Sequence, residues 1–123
     1  MSFNADAFKD FCNSGRLMAV KCGDCGNIFL PPKGFCPKCS SRNLFWMEIS
    51  NVGRILSFTE IHVPLKGFEN YAPYIVVLVE FDCGVRLPGI LRGVDLNSLD
   101  VGVRVKLVFS KDYPSGYYFT ILQ

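Results

Sequence analysis

The chain has 123 residues, half of them hydrophobic, 14% aromatic and 20% charged, with a formal net charge of +2. That is enough apolar material for one ordinary domain or two very small ones, and it excludes a disordered chain. The weak positive balance argues against tight phosphate-backbone binding, which shows a strong basic excess or a basic stripe.

The longest apolar run, Ile75–Val79, is far too short to span a bilayer. Met1–Phe11 carries Asp6 and Asp10 and no signal-peptide run. A soluble, cytoplasmic protein without a membrane segment is expected. Asn4 can cap a short helix whose residues Phe8, Phe11 and Cys12 share one face, with Gly15 as its stop. So short a helix is marginal alone, so its apolar face must rest on this chain or on a partner. Leu17–Val20 reads as a strand.

The strand leads into the most informative stretch, C-G-D-C-G-N-I-F-L-P-P-K-G-F-C-P-K-C. Two C-x-x-C pairs, Cys22/Cys25 and Cys36/Cys39, are separated by ten residues. Each turn aims two sulfurs the same way, and Gly23, Gly26 and Pro37 sit where the backbone must turn tightly. Together they supply the four thiolates of a tetrahedral Zn²⁺ site, at about 2.3 Å from the ion. Ile28–Leu30 and the Pro31–Gly34 turn give the intervening segment a short strand and a reversal. The predicted element is a rubredoxin-like Cys₄ zinc ribbon. Cysteine spacing alone does not separate zinc from iron. Two disulfides are a further alternative, less suited to a chain without an export signal, and a thioredoxin-like redox motif would need one C-x-x-C opening a helix after a strand, not two knuckles. A closed Cys₄ site leaves no open coordination position, so its metal is structural. Cys12 and Cys83 are left over and read as small buried hydrophobes. Leu44–Ile49 returns alongside the ribbon, with Trp46 covering its small core.

From Gly53 onward the pattern is strand and turn. Arg54–Val63 alternates, with Ile55, Ser57, Thr59, Ile61 and Val63 expected on one face and Leu56, Phe58, Glu60 and His62 on the other. Pro64–Pro73 is a loop bearing Phe68 and Tyr71. Tyr74–Phe81 is apolar on both faces and reads as a central strand. Asp82-Cys83-Gly84 is a hairpin turn. Val85–Leu91 returns, with Pro88 and Gly89 marking a bulge or an edge. Gly93–Leu99 connects, with room for one helical turn. Val103–Phe109 and Tyr117–Leu122 complete five strands. Three strands, a connection and two more is the pattern of an OB-fold, a five-stranded Greek-key barrel. The chain therefore divides into a helix over residues 1–16, a ribbon over 17–49 and an OB-fold over 50–123, and is mainly β.

A helix, "SGRLMAVKCGDCGNIFLPPKGFCPKC", "SNVGRILSFTEIHVP", "APYIVVLVEFDCGVRLPGIL" and "VGVRVKLVF", in that order, resemble the zinc-ribbon plus OB-fold family of archaea and bacteria. Members of that family accompany thiolases and other acyl-CoA enzymes. The resemblance covers nearly the whole chain and implies a non-catalytic subunit seated against a thiolase-fold partner, completing a shared acyl-CoA groove. One such relative bridges acetoacetyl-CoA thiolase and hydroxymethylglutaryl-CoA synthase, and others pair with hydratase or aldolase subunits. In this reading Lys33, Arg54 and Arg86 are candidate contacts for CoA phosphates, and Tyr74 joins Phe68 and Tyr71 as an exposed aromatic.

The residues themselves argue against an enzyme. There is one histidine, His62, with no nucleophile elbow, nucleotide-binding glycine loop or paired carboxylates. Cys83 has the acidic neighbour Asp82, which makes it a poorer nucleophile. Two other functions fit parts of the pattern. A nucleic-acid module would use Arg104, Lys106 and Lys111 beside the Tyr117/Tyr118/Phe119 cluster. A homo-oligomer would form through the N-terminal helix.

Overall fold

The structure is a computed structural model that describes residues 3–62, 74–93, 97, 99–113 and 116–122. Helix α1 spans Ala5–Asn13 and starts where Asn4 accepts a hydrogen bond from the Ala7 N–H at 2.9 Å. It ends at Gly15, whose φ of 77° suits glycine. Its apolar face is used within the chain. Phe8 meets the edge of Tyr117, Phe11 meets Trp46, and Cys12 is fully buried.

Strand β1 (Met18–Cys22) lies between β2 (Ile28–Phe29) and β3 (Leu44–Glu48) in an antiparallel sheet. Val20, Phe29 and Trp46 fall on one face, where Phe3 stacks on the indole with ring centroids 5.4 Å apart. Trp46 thus covers the ribbon's small core, as predicted. Ile28 and Ala19 fall on the other face and join the barrel core with Leu17, Leu30 and Ile49. The Ile49 N–H donates to Leu17 O at 2.9 Å. Ribbon and barrel therefore share packing, and disturbing one is felt by the other.

The barrel follows as β4 (Val52–Ile61), β5 (Tyr74–Phe81), β6 (Arg86–Arg92), β7 (Arg104–Phe109) and β8 (Tyr117–Ile121). It closes in the order β4-β5-β6-β8-β7, with β6 and β8 parallel and every other pair antiparallel. Closure leaves the apolar strand β5 no free edge. Ile55, Val77, Val79, Leu107 and Phe119 fill the interior. The β5–β6 hairpin turns at Gly84, with φ of 91° and its N–H on Phe81 O.

Strand β4 corrects the predicted alternation. The register with β5 slips between Ile55 and Ser57. Ile55 is buried, Ser57 and Thr59 are exposed, and Phe58 packs against the core. A β-bulge adds one residue and exchanges the two faces of a strand beyond it, so Ile55, Ser57 and Thr59 do not share a face. Val63, Phe68 and Tyr71 lie outside the described residues, as does most of the Gly93–Leu99 connection. Tyr74, expected to be exposed, is buried with Ile90 and Tyr113, because it opens β5 inside the sheet and not in the loop before it.

Pro88 and Gly89 introduce no bulge, because β6 runs in continuous register with β5 from Arg86 to Leu91. Gly89 is there for space: a Cβ on it would come 2.5 Å from the Phe119 ring. The edge expectation holds in part, since among the described residues β6 pairs with β8 through Leu91 and Arg92 and not through Pro88 or Gly89.

Candidate metal centre and adjoining surfaces

The two knuckles are near copies. In the first, the Gly26 N–H donates to Cys22 O at 3.0 Å and the Cys22 N–H to Asn27 O at 2.8 Å. In the second, the Ser40 N–H donates to Cys36 O and the Cys36 N–H to Ser41 O, both at 2.8 Å. The N–H groups of Asp24 and Lys38 point at the sulfurs of Cys22 and Cys36, each at 3.4 Å.

The four sulfurs lie within 4.8 Å of one another, with Cys22 to Cys39 at 3.5 Å and Cys25 to Cys36 at 3.6 Å. Four arms of about 2.3 Å in a tetrahedron place their ends roughly 3.8 Å apart. The set fits one Zn²⁺ with no position left over. The amides of Cys25 and Asp24 help hold the Cys22 thiol below its ordinary range. Burial alone would raise Cys36, but the amides of Cys39 and Lys38 outweigh it and bring the thiol to about 6. Such donors favour the thiolate form that a metal requires.

A latch spans the knuckles from outside. Asp24 accepts from the Ser41 hydroxyl and from Asn43 Nδ2, and the Gly23 N–H donates to Asn43 O at 2.7 Å. Sequence reasoning passed over Asp24, because nothing marks a carboxylate whose partners lie 17 and 19 residues away.

The knuckles differ at one point. Gly26 has φ of 79°, and its counterpart Ser40 is held at 65°. A left-handed backbone costs an L-residue roughly 1–2 kcal/mol. Ser40→Gly is therefore expected to keep the metal and raise stability by up to about 1 kcal/mol, less the flexibility that glycine adds when unfolded. Thermal melts of the two proteins check this, and an unchanged or lower midpoint would count against strain at Ser40.

Of the three candidate phosphate contacts, the structure brings two together. Glu80 Oε1 accepts from Arg54 Nη2 at 2.7 Å, and its Oε2 from Arg86 Nε at 3.2 Å. The two guanidinium groups hold the Glu80 carboxyl below its ordinary 4.5. A depressed carboxylate stabilises the fold above its unfolded pKa, and this stability is lost as pH falls through the folded value. The melting difference between wild type and Glu80→Gln is thus expected at pH 7 and should vanish well below pH 4.5. A difference that persisted in acid would show that the ion pairs are not its source.

Lys33 is elsewhere, exposed on the ribbon's turn after Pro32. That turn helps to line an apolar groove of about 430 Å³ with Phe8 of α1 and Leu87, Pro88 and Tyr117 of the barrel. Arg86 and Lys9 also line it. The Tyr117 hydroxyl donates to Pro88 O at 2.7 Å, and burial, with Cys12 nearby, keeps it neutral. Burial likewise pushes the Cys12 thiol up to about 11, leaving it an unreactive hydrophobe as predicted. Cys83 is partly buried against the core. Exposed His62 pairs with Glu60 at 2.7 Å. The aromatic cluster of the nucleic-acid reading is not a stacking platform, because Tyr117 and Phe119 are buried and Tyr118 packs on Tyr113.

Two family models match. "ChsH2, rubredoxin-like zinc ribbon domain" covers residues 10–44, and "ChsH2, C-terminal OB-fold domain" covers residues 46–110. The chain belongs to the ChsH2-type family of zinc-ribbon and OB-fold proteins. Among its relatives is a "DUF35 domain-containing scaffold protein" of Methanothermobacter thermautotrophicus, 36% identical over 82% of this chain and 77% of the relative. A "Probable enoyl-CoA hydratase alpha subunit" of Thermomonospora curvata is 33% identical over 75% of this chain but only 28% of its own length. Among solved structures, "Ltp2-ChsH2(DUF35) aldolase" superposes with a TM-score of 0.82 at 27% identity, over 98% of this chain and 96% of that one. A DUF35 protein of Sulfolobus solfataricus shares the fold, with a TM-score of 0.68 at 20% identity over 95% and 84%. The family, the ribbon and the barrel are thus as the sequence predicts. Among the described residues no helix is long and apolar enough to cross a membrane.

Proposed function

We propose that the chain is a non-catalytic scaffold subunit of a cytoplasmic acyl-CoA enzyme complex and that its partner has a thiolase fold. The observation that carries this reading is the near full-length likeness to scaffold-named relatives and to the DUF35 chain named with an aldolase. The site agrees in kind. A saturated Cys₄ centre has no position for substrate, and the only histidine pairs with Glu60 on the surface.

The groove between α1, the Pro31-Pro32 turn and β6 is where the chain would complete a shared acyl-CoA site. Its walls suit an acyl or pantetheine arm, and Arg86 in its lining and Lys33, next to Pro32, would take CoA phosphates. Arg54 belongs to that set only through Glu80, which it shares with Arg86. One partner pair that fits is acetoacetyl-CoA thiolase with hydroxymethylglutaryl-CoA synthase, bridged so that the intermediate does not escape.

The test is affinity purification of the tagged chain from native cells, followed by titration of the purified complex with acetyl-CoA. A stoichiometric thiolase-fold partner is expected, with acetyl-CoA binding weakened several-fold by Lys33→Ala and Arg86→Ala. Absence of any thiolase-fold partner would overturn the reading.

A further inference from the structure

Four charged side chains stand in register across the outside of the barrel. Arg104 of β7 faces Arg54 of β4, Arg54 faces Glu80 of β5, and Glu80 faces Arg86 of β6. Like charges directly opposite on neighbouring strands destabilise a sheet, yet Arg104 and Arg54 are such a pair. Glu80 is already shared by Arg54 and Arg86, and the Arg104 guanidinium has no hydrogen bond or ion pair among the described residues. Arg104 and Arg54 border a depression of about 500 Å³ with Gly53, Gly84 and Gly102, where Asp82 also lies. Counting the row with Asp82, three cations stand against two anions, so one positive charge is in excess.

We propose that this row docks a carboxylate-bearing segment of a partner protein, with Arg104 and the free edge of Arg54 as its anchors. Three observations favour carboxylates on protein over phosphate or nucleic acid. First, backbone amides around the depression are spent: Gly84 donates to Phe81 O, Gly102 to Ile55 O and Phe81 to Val85 O. Phosphate sites draw on free amides of that kind, whereas a planar guanidinium matches a carboxylate by itself. Glu80 already accepts one guanidinium hydrogen bond on each of its oxygens. Second, none of the four row positions is aromatic, so bases have nothing there to stack on. Third, the row runs into an apolar pair, since the next outward pair is Leu78 with Pro88. Half-buried Leu78 and exposed Pro88 beside arginines have the composition of a protein interface. The inference rests on the scaffold reading only in supplying a partner, and its anchors, Arg104 and Arg54, lie outside the groove, which the row meets at Arg86 and Pro88.

The experiment uses the full zinc-loaded chain and a fluorescein-labelled octapeptide of alternating Glu and Val, at low salt. Inorganic pyrophosphate and an oligo-dT strand serve as competitors. Peptide binding is expected to weaken at least tenfold in Arg104→Glu and to be unchanged in Lys111→Glu, which alters net charge equally in the turn beyond the far end of β7. Arg104→Gln is expected to melt no lower than wild type, because removing it relieves the Arg104–Arg54 repulsion. Equal peptide binding by wild type and Arg104→Glu would overturn the proposal. So would pyrophosphate or oligo-dT binding more tightly than peptide and depending on Arg104. These outcomes are independent of whether a thiolase-fold partner co-purifies or acetyl-CoA binds.

Discussion

Replacing Cys36 with serine is expected to release the metal and unfold the ribbon, the largest single effect available in this chain. Cys36 is fully buried in a cluster that, among the described residues, contains Val20, Cys22 and Phe29 besides itself, with Phe3, Leu44 and Trp46 at its margin. So small a core cannot offset the entropy of ordering the surrounding residues, on the order of 1–2 kcal/mol each. Structural zinc in such modules contributes about 10–16 kcal/mol of binding energy, which is also folding energy. Metal analysis should give one zinc per wild-type chain and none in Cys36→Ser. Hydrogen exchange should show residues 18–48 losing protection. The barrel should persist but weaken, because Leu17 and Ala19 pack in its core from the ribbon side. Cys83→Ser, outside the ligand set, should retain full metal. A Cys36→Ser protein that kept its zinc and its protection would refute the ligand assignment. A wild type that bound no metal yet stayed protected would show the ribbon to be held by packing alone.

What could be read from the sequence and what could not follows from how local each cause is. The ribbon was legible because all four ligands lie within one short stretch, and a metal accounts for two knuckles so close together better than two disulfides do. The helix was legible through Asn4 and Gly15, each acting on its own few neighbours. Five strands were legible from alternation and turns. The bulge in β4 was not, because no glycine or proline marks it and the faces exchange through a register with β5 that the chain does not announce locally. Nor was the reason for Gly89, which depends on the ring of Phe119, distant in sequence and two strands further along the chain. Arg54 and Arg86 could be picked out as cations, but their mutual carboxylate at Glu80 and the neighbouring Arg104 come together only when β7, β4, β5 and β6 are laid side by side. Charge on a strand is read from sequence, whereas a row of charges across strands is a property of closure.

That same closure makes Phe119 the residue whose loss should harm the barrel most. It is fully buried, pairs with Leu91 of β6 and Leu107 of β7, and packs against Phe81 and Tyr117 with ring centroids 6.3 and 5.7 Å away. Phe119→Ala removes a ring where the two ends of the sheet meet and should cost about 3–5 kcal/mol, lowering the melting temperature by roughly 10–20 °C. Gly89→Ala should also destabilise, by about 1–3 kcal/mol, for the opposite reason: its new methyl would press on the Phe119 ring. The two effects act on one volume, so they should not add. In Phe119→Leu the nearer ring is gone and the Tyr117 ring, 3.1 Å from the new methyl, remains, so Gly89→Ala should cost clearly less in that background. Melts of the two single variants and the double variant close the cycle, with a favourable coupling of about 1 kcal/mol or more expected. Simple additivity would mean that Gly89 and Phe119 are not in contact, and that something other than the aromatic ring keeps a glycine at that position of β6.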